Sequence, residues 1–215
     1  MTKVYIASIA DWEPEPEVAP RWPDHHLEFN ITHDDDMVML AAESVPNYAS
    51  LPGIGLDVMR LNRPRAEAVG LEGVLLEQLH PSELATFRRT FEASSAVNCR
   101  LDYLIHMWTV KEAYVKAIGT GLGTEFKSLC VLGLDALYEA VHESTSNPSL
   151  APPIHPAWTV KHGYVVVPQV WRSKRKAIPE KCFAWTLVSA SSAPGSAGSI
   201  DFEIIDCKDF EKAAA

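Results

Sequence analysis

Trp108-Thr109-Val110-Lys111-Glu112-Ala113-Tyr114-Val115-Lys116 places a carboxylate and an ammonium four residues apart inside an aromatic-rich run. The spacing predicts one helix from about Leu101 to Ile118, stopped by Gly119, Gly121 and Gly123. On such a helix Asp102, His106, Thr109, Glu112 and Lys116 share one stripe. Leu101, Leu104, Ile105, Trp108, Val110, Tyr114, Val115, Ala117 and Ile118 cover most of the remaining circumference. Glu112 and Lys116 alone would suit an exposed surface pair, but a solvated face would be broader and richer in charge. The helix is therefore expected to be buried nearly all round, with its polar seam facing a cleft or another lobe.

Two upstream strings extend this picture: Phe29-Asn30-Ile31-Thr32-His33 and Gly53-Ile54-Gly55-Leu56-Asp57-Val58. Met37 to Ala42 reads as a short buried strand, and a second apolar run ends at Asp57 after a turn around Pro46-Asn47. Two adjacent strands would bring His33 and Asp57 to nearby edges of one sheet. At a strand end, with two glycines before it, Asp57 opposite Glu112 would make a hard-oxygen pair suited to Mg2+. The same aspartate suits a turn cap equally well. Thr32 and His33 would serve to close a loop, and Asp34-Asp35-Asp36 reads as a solvated, self-repelling turn. Taken in order, the three strings describe a site for a divalent cation and a diphosphate.

Around them, Asp11 to His26 is broken by prolines and acids and reads as an exposed connector. A helix is expected from Pro81, with strands at Phe126–Leu132, Trp158–Lys161, Tyr164–Val167, Phe183–Val188 and Phe202–Ile205. Asn147–Pro156 and Ala190–Ser199 read as loops, and Lys208–Ala214 as a terminal helical turn. Sheet plus helix, twice over, gives an α+β fold of two similar lobes with a pseudo-twofold relation. Residues 1–75 form the first, incomplete lobe with its leader, and residues 76–215 the C-terminal lobe with the long helix.

A net charge of −9 over 215 residues gives no sign of a nucleic-acid or membrane-surface binder. Cys99, Cys130, Cys182 and Cys207 match no zinc or redox spacing and read as buried free thiols of a reducing cytosol. Met1 to Ala10 lacks the pattern of a secretory signal, so a soluble cytoplasmic protein is expected.

The three strings resemble the signature of the larger, monomeric 4′-phosphopantetheinyl transferases, the surfactin-synthetase-activating and eukaryotic broad-specificity type. That pattern runs Asn-x-Ser-His, Gly-x-Asp, then Trp-Ser-x-Lys-Glu-x-x-x-Lys. It appears here as Asn30-Ile31-Thr32-His33, Gly55-Leu56-Asp57 and Trp108 to Lys116. The resemblance implies transfer of phosphopantetheine from coenzyme A to a serine of an apo acyl or peptidyl carrier protein. Carriers of fatty-acid, polyketide, peptide or lysine-type pathways would all qualify as partners. It implies that Asp57 and Glu112 ligate Mg2+ and that Glu112 takes the serine proton. Lys116 would hold a phosphate and help the leaving group depart, with His33, Thr32 and Lys111 among the coenzyme A contacts.

Arg60, Arg63 and Arg65, just beyond the metal-binding strand, are the expected carrier-docking cations, because an acidic carrier must find local positive charge on an acidic protein. Met59 stands where bacterial members often carry a second acid. Only a short, proline-broken segment precedes the first motif, where the family has a complete lobe. The rival readings are a non-catalytic or truncated paralogue that binds coenzyme A or a carrier without turnover, and a metal phosphohydrolase built on His33 and Asp34 to Asp36. A complete fold of this type would be monomeric.

Overall fold

The computed structural model describes residues 2–8, 27–44, 53–91, 97–131, 164–172, 181–190 and 200–204. Strands β1 (Thr2–Ser8), β2 (Leu27–Asp34) and β3 (Met37–Ser44) precede β4 (Gly55–Arg60). Helices α1 (Arg65–Leu76), α2 (Pro81–Phe91) and α3 (Val97–Ala117) follow, and then β5 (Tyr164–Arg172), β6 (Cys182–Ala190) and β7 (Ile200–Ile204). The strands form two sheets, ordered β2-β3-β1-β7 and β4-β6-β5. Both sheets draw strands from either side of residue 75, since β4 pairs with β6 and β1 with β7. The fold is α+β.

Strand alternation divides β4 between two cores. Leu56 and Val58 pack with Met37, Met39 and Ala41 of β3 and with Phe183, Trp185 and Leu187 of β6. Gly55, Asp57 and Met59 turn the other way, toward α3. A Cβ on Gly55 would lie 1.8 Å from the Ala113 carbonyl oxygen and one on Gly53 2.7 Å from that of Ala117. Glycine is thus what lets the α3 backbone rest directly on β4.

The long helix is buried as its composition demands, with Leu101, Leu104, Ile105, Val110, Ala113 and Ala117 in one cluster with residues of α1, α2 and β6. Its end is a Schellman turn: Thr120 N–H donates to Val115 O and Gly119 N–H to Lys116 O, both at 3.1 Å, with Gly119 at φ +72°. Phe87 and Phe91 of α2 pack on Tyr103, with ring centroids 6.0 and 4.8 Å from it.

Four expectations need correction. β3 and β4 lie in different sheets, so His33 and Asp57 do not share one. Asp57 sits inside β4 and not at its end, which removes the turn-cap reading. Residues 126–131 are not a strand but a 3-10 turn, Phe126–Ser128, followed by irregular chain. Here Lys111 takes the Phe126 carbonyl and Glu83 the Val131 N–H, so tertiary polar bonds replace ladder bonds. Cys130 is free but exposed, and Cys182 is half-buried. The connector Asp11–His26, the strand at Trp158–Lys161, the loop Asn147–Pro156 and the turn Lys208–Ala214 lie outside the described residues. Among those residues no helix is long and apolar enough to cross a membrane.

Candidate active site

The polar seam of α3 faces β4 and β6. Thr109, fully buried, meets the Thr186 hydroxyl of β6 at 3.0 Å. Asp57 is the register partner of Thr186, and one helical turn pair further along α3 Lys116 reaches it. Lys116 Nζ donates to Asp57 Oδ1 at 2.8 Å and to the Leu56 carbonyl at 3.1 Å. Glu112 Oε1 lies 4.0 Å from the same ammonium, so Lys116 stands between two carboxylates.

From the other sheet, the Thr32 hydroxyl donates to Asp57 Oδ1 at 3.2 Å and accepts from Lys116 Nζ at 3.4 Å. Asp57 Oδ2 is buried and has no hydrogen-bond partner. Burial pushes the Asp57 carboxyl up to about 6, outweighing the Lys116 charge and the Thr32 bond that pull it down; the nearby Glu112 adds to the rise. A buried carboxylate oxygen without a donor is costly in a protein that gains nothing from it. A second carboxylate, Glu112, approaches from α3.

Among the described residues no cage of three or more His, Cys, Asp or Glu side chains forms. Two carboxylates nevertheless fit Mg2+, which commonly takes one or two protein carboxylates and completes its shell with water and substrate phosphates. Met59 does not reach this site as a ligand and packs against the α3 cluster. The structure thus brings Thr32, Asp57, Glu112 and Lys116 together.

It does not bring the remaining expected residues there. His33 is exposed, on the face of β2 opposite Thr32, because neighbours in a strand point to opposite sides. Lys111 turns away from the seam into the core. Its Nζ donates to Glu83 Oε2 at 2.7 Å, Phe126 O at 3.0 Å and Gln78 O at 3.1 Å, which uses all three of its donors. Arg60 pairs with Asp35 at 2.7 Å, and Arg63 pairs with Asp34. The Arg65 side chain lies outside the description.

Asp34 to Asp36 are correspondingly not a self-repelling turn: Lys181 holds Asp35 at 3.0 Å and Asp36 at 3.1 Å. Neighbouring cations hold the Asp35 carboxyl below its usual value, although burial opposes them. Carboxylates engaged in this way do not form the metal cage a phosphohydrolase reading requires. Two residues that sequence reasoning missed are Thr186, for which only its place in an apolar strand gave a signal, and Asn30, quoted only as part of a motif.

Residues 53–166, just over half of the chain, match the ACPS: 4′-phosphopantetheinyl transferase superfamily, and Asp57, Glu112 and Lys116 all lie within the matched span. The L-aminoadipate-semialdehyde dehydrogenase-phosphopantetheinyl transferase of Mus musculus is 31% identical over 110 residues, which are 50% of this chain and 32% of that protein. The 4′-phosphopantetheinyl transferase pptA of Paxillus involutus is 32% identical over 107 residues, 49% of this chain and 41% of its own length. A holo-[acyl-carrier-protein] synthase of Oceanobacillus iheyensis is 31% identical over 84 residues, 39% of this chain and 66% of its own. The aligned part of the chain spans only about a third of the mouse protein. A carboxylate pair bridged by a lysine, held on a glycine-packed strand and a buried helix inside the matched span, agrees with that match, and the chain belongs to the 4′-phosphopantetheinyl transferase superfamily.

Proposed function

We propose that this protein transfers 4′-phosphopantetheine from coenzyme A to a serine of an apo acyl or peptidyl carrier protein. The carrying observation is Asp57: a buried carboxylate with one oxygen held by Lys116 and Thr32 and the other without a partner, with Glu112 on the facing helix α3 and Lys116 between the two carboxylates. Asp57 Oδ2 and Glu112 would hold Mg2+, which neutralises charge on the coenzyme A diphosphate when bound. Lys116 supplies a cation for the phosphate that becomes part of the leaving group, and Thr32 offers a hydroxyl beside it.

In the reaction the serine oxygen forms a bond to the phosphorus that bears pantetheine. The bond from that phosphorus to the bridging oxygen breaks, releasing adenosine 3′,5′-bisphosphate with the electron pair. Glu112 takes the serine proton. Most of the rate gain in such a displacement comes from positioning and charge neutralisation, which is what this constellation offers. We place the protein in the cytoplasm, acting as a monomer on a carrier and without nucleic acid or membrane. His33, on the outer face of β2, would meet the 3′-phosphate only from that side.

Incubation with coenzyme A, Mg2+ and an apo carrier, followed by intact mass of the carrier, tests the proposal. The expected result is a carrier heavier by one phosphopantetheine, mapped to a serine. A carrier that a control transferase converts and this protein leaves unmodified would overturn it. The second reading, a paralogue that binds without turnover, predicts coenzyme A binding by calorimetry with no mass change. The departure of Arg60 and Arg63 into ion pairs with Asp34 and Asp35 supports a docking surface elsewhere than these arginines.

A further inference from the structure

β2 and β4 are edge strands of different sheets, and side chains join them. Asn30, Thr32 and Asp34 alternate along β2 and so share one face. The Leu56 N–H donates to Asn30 Oδ1 at 3.1 Å, and the Arg60 N–H donates to Asp34 Oδ2 at 2.6 Å. Both bonds span the same offset of 26 residues, so the two strands run in the same direction and in one register. Between these two rungs the Thr32 hydroxyl reaches Asp57 Oδ1 at 3.2 Å.

The lower rung is braced. The Arg63 guanidinium also bonds Asp34, and its Nε donates to the Arg60 carbonyl at 3.2 Å. Asp35, held at φ +54° in the turn, ties down the Arg60 side chain at 2.7 Å. An edge strand normally offers its N–H groups to a neighbouring backbone or to water. Here an amide and a carboxylate take two alternate ones of β4.

We propose that Asn30 and Asp34 are positioning residues for the transfer reaction: their side chains replace the backbone ladder along the open edge of β4. The register they impose holds Thr32 on Oδ1 of Asp57 and leaves Oδ2 to the ligand. The proposal rests on the role assigned to Asp57 above. Asn30 bonds the β4 backbone at Leu56, whereas Lys116 bonds Thr32, Leu56 and Asp57, so the effect of Asn30 passes through β4. An acceptor oxygen at each rung is what matters, and the negative charge of Asp34 is secondary.

The test compares Asn30→Ala, Asp34→Ala and Asp34→Asn with the parent. Three measurements are made: amide exchange at Leu56 and Arg60, calorimetric affinity for coenzyme A in Mg2+, and transfer kinetics. Asn30→Ala should speed exchange at Leu56 and weaken coenzyme A binding by about tenfold, the weight of one partly buried hydrogen bond. Exchange within α3 should stay slow. Asp34→Ala should do the same at Arg60. Asp34→Asn, which keeps an acceptor for the Arg60 N–H, should remain within about twofold of the parent.

A general loss of packing would instead speed exchange in α3 as well and lower the amount of active protein with little change in affinity, and that result overturns the positioning role. So does an Asp34→Asn variant as weak as Asp34→Ala, because charge would then be what acts. If the alanine variants do not fold, Asp34→Asn is judged against the parent alone: exchange at Arg60 and coenzyme A affinity within about twofold support the acceptor role, and a loss of affinity of about tenfold overturns it. A parent that transfers, with variants that bind and transfer equally well, removes the positioning role and leaves the function standing. A parent that binds no coenzyme A removes both.

Discussion

Lys111 and Glu83 form an ion pair at 2.7 Å with 1% and 2% of their side chains exposed, next in sequence to Glu112 of the polar seam. Glu83 also accepts the His80 N–H at 2.7 Å, as the third residue of a capping box, and the Val131 N–H at 2.5 Å. The pair therefore fastens α3, the start of α2 and the chain beyond the 3-10 turn at a single point. Burial still pulls the Lys111 ammonium below its usual value, against the raising effect of Glu83.

Removing one member of that pair strands a buried charge. Lys111→Ala should lower stability by about 3–5 kcal/mol in urea unfolding, and Lys111→Met with Glu83→Gln should recover part of it. The folded fraction of the single variant should bind coenzyme A as the parent does. A loss under about 1 kcal/mol would show that other contacts hold this corner.

Glycine positions should respond in opposite directions. Gly55→Ala drives a methyl group to within 1.8 Å of a helix carbonyl, and backbone on both sides leaves nothing flexible to yield. A loss of at least about 4 kcal/mol, or failure to fold, is expected. Gly73→Ala, inside α1 with nothing within 4 Å of the new Cβ, should gain about 0.5–1 kcal/mol. Equal melting temperatures for parent and Gly55→Ala would mean that α3 does not rest on β4 as described.

Asp102, like Asp57, is pushed up to about 6 by burial, although a bond from the Asn62 backbone pulls the other way. The folded carboxyl keeps its proton over a range where the unfolded one, at its usual 3.8, has lost it. Its ionisation then costs stability as pH rises from 3.8 to about 6, and the cost is complete above that. Asp102→Asn should be more stable than the parent at pH 7 by on the order of 2–3 kcal/mol, with the advantage vanishing near pH 4. The same gap at both pH values would contradict the shift.

Glu112→Gln removes the proposed base and one proposed metal ligand while keeping the shape of the side chain. Carrier modification should slow by at least about a hundredfold. Circular dichroism and melting should match the parent, since Glu112 lies at the margin of the core. Near-parent turnover would reassign the proton acceptor.

What was legible in the sequence followed the strength of local signals. The α3 helix, β3 and β4 carried long apolar runs or a paired glycine, and each exists, although α3 starts four residues before Leu101 and β4 runs three residues past Asp57, where its apolar run was expected to end. Helix α1 escaped notice because it buries Ala68 and Leu75 while exposing Val69 and Val74, and because Gly70 and Gly73 interrupt it. Its apolar residues therefore do not trace one face.

Asp57, Glu112, Lys116 and Thr32 were readable because a motif names them. The burial of Lys111 was not, since its acceptors Gln78 O, Glu83 and Phe126 O are scattered along the chain. The pairing of Asp34 to Asp36 with Arg60, Arg63 and Lys181 is likewise a product of tertiary folding.

The two joints that build the site differ in stiffness. Where β4 meets α3, backbone lies on backbone, and neither side can move without reopening the core. Where β2 meets β4, the connection is a few polar side chains, each exchangeable with water at modest cost. Local opening should therefore begin at β2, at a free energy below that of global unfolding. Thr32 would then lift away from Asp57 while Lys116 and Glu112 keep their places. Under the proposed function, the compliant wall is the one a bulky product could push aside on leaving, while the rigid one would preserve the geometry of Lys116 and Glu112 for the next turnover.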